Sequence, residues 1–128
     1  MGNNKYLLDT HVFIWAMERS RRLPVKLIQL LQNPQNSIFV SIASIWEMMI
    51  KKTDLKLKIT RDIEADIKLA GFQQLPIVLS HVLKIGNLPL HHKDPFDRLL
   101  IAQSSVEKLT LISADHKIWR YKINLLKA

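Results

Sequence analysis

In "HHKDPFDRLLIAQ", His91 to Gln103, two carboxylates stand three residues apart where a helical pattern begins. Asp94 precedes Pro95 and suits an N-cap with proline at the first helical position; Asp97, at the third, suits a capping box and the helix dipole. The same two acids are also of the right type to hold a cation. Asp9, which closes the apolar run "KYLLD", and Asp115, which follows "LTLIS", carry the same ambiguity, because each can cap the helix after it. Glu47 in "SIASIWEMMIK" resists the capping explanation: it is mid-helix beside an apolar stripe, where a carboxylate usually has a partner or a ligand.

Carboxylates converging on one crevice repel by roughly a few kcal/mol per close pair at an effective dielectric near 20, and a bound cation relieves that repulsion. Oxygen donors in a chain without cysteine point to Mg²⁺ or Mn²⁺ rather than zinc. The histidines His11, His81, His91, His92 and His116 form no HxxxH or HExxH pair, so a histidine zinc site is a weak reading. His91 and His92 read as solvated loop residues, with contact to a substrate phosphate as the alternative.

The elements that must position these acids follow from periodicity and breakers. "KYLLD", "SIFV", "QQLPI", "LTLIS" and "INLL" read as short strands. Between them fall helices: "THVFIWAMER"; a stripe from Val25 to Leu31; and "ITRDIEADIKLAGF" with Gly71 at its end. Another helix, capped by Ser41 or Ser44, carries Ile42, Ile45, Trp46, Met49 and Ile50 as its stripe. "SHVLKIGNLP" is a brief helix, Pro95 to about Glu107 a longer one, and "DHKIWRY" a short one. Alternating strands and helices predict a single α/β domain over residues 1–128, with a central, mostly parallel sheet flanked by helices. Such sheets place their sites outside the carboxyl ends of the strands. Asp9, Asp97 and Asp115 can all lie there, and Glu47 can reach back to the same edge.

At 128 residues and 48% hydrophobic content the chain can bury a core. It has no run of the ~18 apolar residues that would suggest a membrane span and no signal-peptide pattern. The absence of cysteine excludes disulfides and a thiol nucleophile and suits a cytoplasmic protein. No GxxxxGK[ST] loop or GxSxG elbow occurs. The formal charge is +8, with basic residues gathered in Arg19 to Lys26, Lys51 to Lys58 and Lys108 to Lys127, which favours a nucleic-acid partner over a generic basic surface.

"YLLDTHVFIW", "SIASIWEMMIK", "HHKDPFDRLLIAQ" and "LISADHKIWRY", in this order and spacing, resemble the PIN-domain ribonucleases, specifically the VapC-type toxins of toxin–antitoxin pairs. The resemblance spans nearly the whole chain. It implies an acidic site of Asp9, Glu47, Asp97 and Asp115, with Thr10 and Ser113 as supporting hydroxyls and Asp94 as an acid of the subgroup outside the usual ligand set. It further implies Mg²⁺- or Mn²⁺-dependent endonucleolytic cleavage of RNA by metal-activated water, a homodimer, and inhibition by a cognate antitoxin. In this reading Asp9 and Asp97 hold the principal ion, Asp115 completes its shell, and Glu47 positions water or a second ion. Lys51, Lys52 and Arg98 would track the RNA backbone, although Arg98 could equally pair with a neighbouring acid. The rival is a non-catalytic nucleic-acid or partner-binding module on the same fold, against which the four acids count.

Overall fold

A computed structural model describes residues 4–51 and 62–128. Strands β1 (Lys5–Leu8), β2 (Ser37–Ser41), β3 (Gln73–Leu75), β4 (Thr110–Ser113) and β5 (Leu125–Lys127) form one sheet in the order β3-β2-β1-β4-β5. Every pairing is parallel: Leu8 lies opposite Val40 on one side and Ile112 on the other. The helices are α1 (Thr10–Glu18), α2 (Val25–Gln32), α3 (Ile42–Ile50), α4 (Ile63–Leu69), α5 (Leu79–Ile85) and α6 (Pro95–Glu107).

Because successive strand residues face opposite sides, the two sheet faces bury separate cores. Leu8, Ile38, Val40 and Ile112 pack with Val12, Phe13, Leu27 and Ile67 from α1, α2 and α4. Leu7 and Leu111 pack with Leu99, Leu100 and Ile101 of α6 and with Ile118 and Tyr121. All five strands lie where the sequence puts them. The helix expected from "DHKIWRY" is reduced to a turn and a single 3-10 turn, Ile118–Arg120. The helix expected from Ile59 is described from Ile63, capped by Asp62 through Ala65 N; its first residues fall outside the described ones. Gly71, at φ +77°, closes it in the left-handed conformation that glycine adopts without strain.

The expected orientation of α3 is corrected. Most of its apolar stripe is not the buried face: Ile42, Trp46, Met49 and Ile50 are exposed, Ile45 is half-buried against the core, and Ala43, Ser44, Glu47 and Met48 are buried. Small residues and a carboxylate face inward because α1 and α6 lie close there, and Thr10 of α1 partners Glu47.

Candidate metal centre

Each acid reaches the carboxyl edge of the sheet by a local rule. Asp9 follows β1, and its amide extends the ladder to Ile112 O at 3.0 Å. Its side chain caps α1 by accepting from Val12 N at 2.8 Å. Capping and burial coexist here, for Asp9 is only 4% exposed. Burial pushes its carboxyl above the usual range, against hydrogen bonds with Ser113 and the Val12 amide. The Ser113 hydroxyl also accepts the amide of Asp115 at 3.0 Å, tying the end of β4 to both acids. Asp115 turns its own Oδ1 to Lys117 N at 2.8 Å.

Across the crevice, Asp94 caps α6 through Asp97 N at 2.9 Å, with Pro95 in the first turn. Asp97, one turn in, is pushed up to about 7: burial is the largest cause, followed by the negative charges of Asp94 and Glu47. Glu47 is buried, with Oε1 accepting from the Thr10 hydroxyl at 2.6 Å and Oε2 from Lys51 Nζ at 2.9 Å. Ser44 Oγ lies 3.1 Å from the Thr10 hydroxyl. Lys51 also sits 3.5 Å from Asp94 Oδ2, and its hydrogen bond to Glu47 chiefly raises its pKa. It is therefore a counter-cation of Glu47 and Asp94. That pairing turns Lys51 toward two of the acids, where contact with an RNA backbone was expected of it, and Lys52 lies outside the described residues.

Two more expectations change. Arg98 turns to backbone carbonyls, with Nη2 3.2 Å from Ile85 O and Nη1 3.1 Å from both Pro89 O and the Tyr121 hydroxyl. It anchors the loop before α6 instead of presenting a free cation to RNA. His92, expected in solvent, is the residue that sequence reasoning missed. Its side chain is 10% exposed, with Nε2 2.7 Å from Asp97 Oδ2 and 3.3 Å from Asp115 Oδ2. The Tyr121 hydroxyl accepts the amides of His91 and His92 at 3.2 and 3.0 Å and holds the loop inward. The available signal was proximity: two residues before Asp94, a side chain on that loop is within reach of the α6 N-terminus.

The donor set fits a divalent cation. One atom each from His92, Asp97 and Asp115 lies within 4.8 Å of the others, and Asp9 and Glu47 add negative charge around them. Two raised carboxyls, Asp9 and Asp97, mark a place where a further positive charge restores the ionised forms.

The PIN domain family matches residues 6–124, and the chain belongs to that family. Its fold is shared with a chain of VapBC2 from Rickettsia felis, solved bound to a DNA fragment from their promoter. The TM-score is 0.73 at 18% identity, over 97% of this chain and 98% of that one. A chain of a toxin–antitoxin complex from Klebsiella pneumoniae is similar at TM-score 0.65 and 20% identity, covering 95% and 96%. A chain of VapBC-1 from nontypeable Haemophilus influenzae is similar at TM-score 0.64 and 15% identity, covering 96% and 97%. Among curated proteins, none matches the chain. No helix among the described residues is long and apolar enough to cross a membrane.

Proposed function

We propose that this protein is a metal-dependent endoribonuclease of the VapC type, the toxin of a toxin–antitoxin pair acting in the cytoplasm. The observation that carries the reading is the convergence of Asp9, Glu47, Asp97 and Asp115, from four separate stretches, on the carboxyl edge of one parallel sheet. Asp9, Asp97 and Asp115 would hold Mg²⁺ or Mn²⁺. Such an ion supplies polarisation of the phosphodiester and acidification of water, so no protein nucleophile is required.

The chain's own residues do the positioning. Ser113 fixes Asp9 and the backbone of Asp115 together, and Thr10 fixes Glu47. Lys51 offsets the charge of Glu47 and Asp94 beside the crevice. The formal charge of +8 favours RNA as a polyanionic substrate by release of its counterions.

Two surfaces support the proposed protein partners. A groove of about 1330 Å³ between α1, α2 and α4, lined by Met17, Leu23, Ile28 and Leu31 and also by Glu18, Arg19, Gln32 and Asn33, offers a mixed polar and apolar seat for an antitoxin segment. Helices α3 and α5, both packed on α6, expose Trp46, Met49, Ile50, Leu79, Val82 and Leu83, an apolar surface suited to a second copy.

Incubation of the purified protein with an RNA pool tests the reading. Cleavage is expected with Mg²⁺ or Mn²⁺, with none in EDTA and a loss of roughly a hundredfold or more for Asp97→Asn. Undiminished cleavage in EDTA would sink the metal mechanism. RNA binding with no cleavage of any pool would leave the binding-module reading.

A further inference from the structure

Among the described residues, His92 places an imidazole nitrogen against two acids of the crevice, Asp97 and Asp115. We infer that His92 is a nitrogen ligand of the bound ion, making the centre a mixed imidazole–carboxylate site that selects Mn²⁺ over Mg²⁺. The inference rests on the metal-dependent reading above and goes beyond its all-carboxylate ligand set.

The geometry is that of neighbouring ligands. An octahedral ion with bonds near 2.1 Å sets adjacent donor atoms about 3 Å apart. His92 Nε2 stands 2.7 Å from Asp97 Oδ2 and 3.3 Å from Asp115 Oδ2, bracketing that edge on both sides. The imidazole is held there from behind. The Tyr121 hydroxyl accepts the amide of His92, and Arg98 Nη1 is within 3.4 Å of the His92 carbonyl, so the backbone on both sides of the ring is tethered.

As described, Nε2 sits at hydrogen-bonding distance from Asp97. Ligation requires the ring proton to reside on Nδ1, leaving the Nε2 lone pair toward the carboxylates. The contact opposing that tautomer is long, since the Asp94 amide approaches Nδ1 only to 3.4 Å. A bond to a cation shared with Asp97 and Asp115 replaces what the hydrogen bond gave.

Ligand chemistry then fixes the preference. Carboxylates suit Mg²⁺ and Mn²⁺ alike, whereas imidazole favours transition metals and contributes little to Mg²⁺. Removing the nitrogen should therefore weaken Mn²⁺ much more than Mg²⁺. Affinity for Mn²⁺ is expected to fall roughly tenfold in His92→Ala and His92→Gln, with Mg²⁺ changed by less than about threefold.

Two measurements on the full chain test this. The free-Mn²⁺ electron paramagnetic resonance signal, titrated alone and against Mg²⁺, gives both affinities for the parent, both His92 variants and Asp97→Asn. Spin-echo modulation of bound Mn²⁺ reports directly coordinated ¹⁴N in the parent, needing no variant to fold. Nitrogen coupling is expected in the parent and in His11→Ala, which removes the imidazole beside Asp9, and is expected to vanish in His92→Gln. Mn²⁺ that binds through Asp97 without nitrogen coupling overturns the ligand role and leaves the metal site intact. So does coupling that survives in His92→Gln. Failure of Mn²⁺ to bind the parent at all defeats the metal-dependent reading itself, and the ligand inference with it.

Discussion

Helix α6 meets a histidine at each end. Near its C-terminus Glu107 lies 2.6 Å from His81 Nε2; near its N-terminus Asp97 lies 2.7 Å from His92 Nε2. The two contacts are almost equal in length and opposite in purpose. His81, 1% exposed, is fully occupied: its Nδ1 accepts from the Val78 amide at 3.2 Å and lies 3.3 Å from Gln103 Nε2. Gln103 in turn accepts the Ser41 hydroxyl at 2.6 Å and donates to Pro76 O at 3.3 Å. Each polar atom in that chain has a partner, and the acid at its end, Glu107, is 40% exposed, so water shares its charge. His92 instead faces two carboxylates in a crevice where burial, and after it the charges of Asp94 and Glu47, raise the pKa of Asp97. One histidine completes a strut; the other leaves negative charge still to be matched.

The largest expected difference is electrostatic. Asp97 has a folded pKa of about 7 against an ordinary 3.8, so the folded state holds its proton more tightly than the unfolded chain does. The stability that this proton linkage supplies is complete below 3.8 and is lost as pH rises through about 7. In EDTA, the parent should lose up to about 4 kcal/mol over this window relative to Asp97→Asn. Chemical denaturation of both proteins across that range measures the difference. Parallel pH profiles would mean that Asp97 carries no uncompensated charge and that the two ends of α6 are alike.

A smaller loss is expected at the other end. His81→Phe removes the acceptor of the Val78 amide and the partner of Glu107, at a cost of about 1–3 kcal/mol for buried groups left unpaired. The thermal shift caused by saturating Mn²⁺ should stay as in the parent, since that shift depends on affinity for the folded state. A reduced Mn²⁺ shift in His81→Phe would show that the strut extends to the metal centre.

The smallest effect belongs to Asp94. Loss of its bond to the Asp97 amide in Asp94→Ala should cost about 1 kcal/mol, partly offset because its charge no longer raises Asp97. Melting with and without Mn²⁺ checks this: a small drop in EDTA with most of the Mn²⁺ shift retained marks a cap, and an abolished shift marks a ligand.

Local rules made the strands and the α6 start legible. Short apolar runs closed by an acid, a serine or a breaker leave little choice of element, and Asp94-Pro95 fixes a helix start by backbone geometry alone. Partners contributed by distant segments were not legible. Periodicity revealed that α3 has an apolar stripe but not which side the rest of the chain would cover, and the buried side proved to be the one with Ser44 and Glu47. His92 looked like any loop histidine because its orientation depends on Tyr121, far along the chain. Arg98 was open to two readings, a cation on RNA or the partner of a neighbouring acid, and neither pointed to the carbonyls that bind it, because those belong to residues with no sequence signature of an anion.

The strand order has a consequence for when the centre comes into being. Strand β1 occupies the middle of the sheet, between β2 and β4, so Tyr6 pairs with Thr110 across most of the chain. A pairing so distant in sequence forms late, after the loop-closure entropy between its strands has been met. As the polypeptide leaves the ribosome, Asp9 emerges well before Ser113 and Asp115, which arrive only when β4 does. A chain synthesised only as far as α6 therefore holds Asp9 and Asp97 without Asp115, and the centre assembles only once β4 has been made.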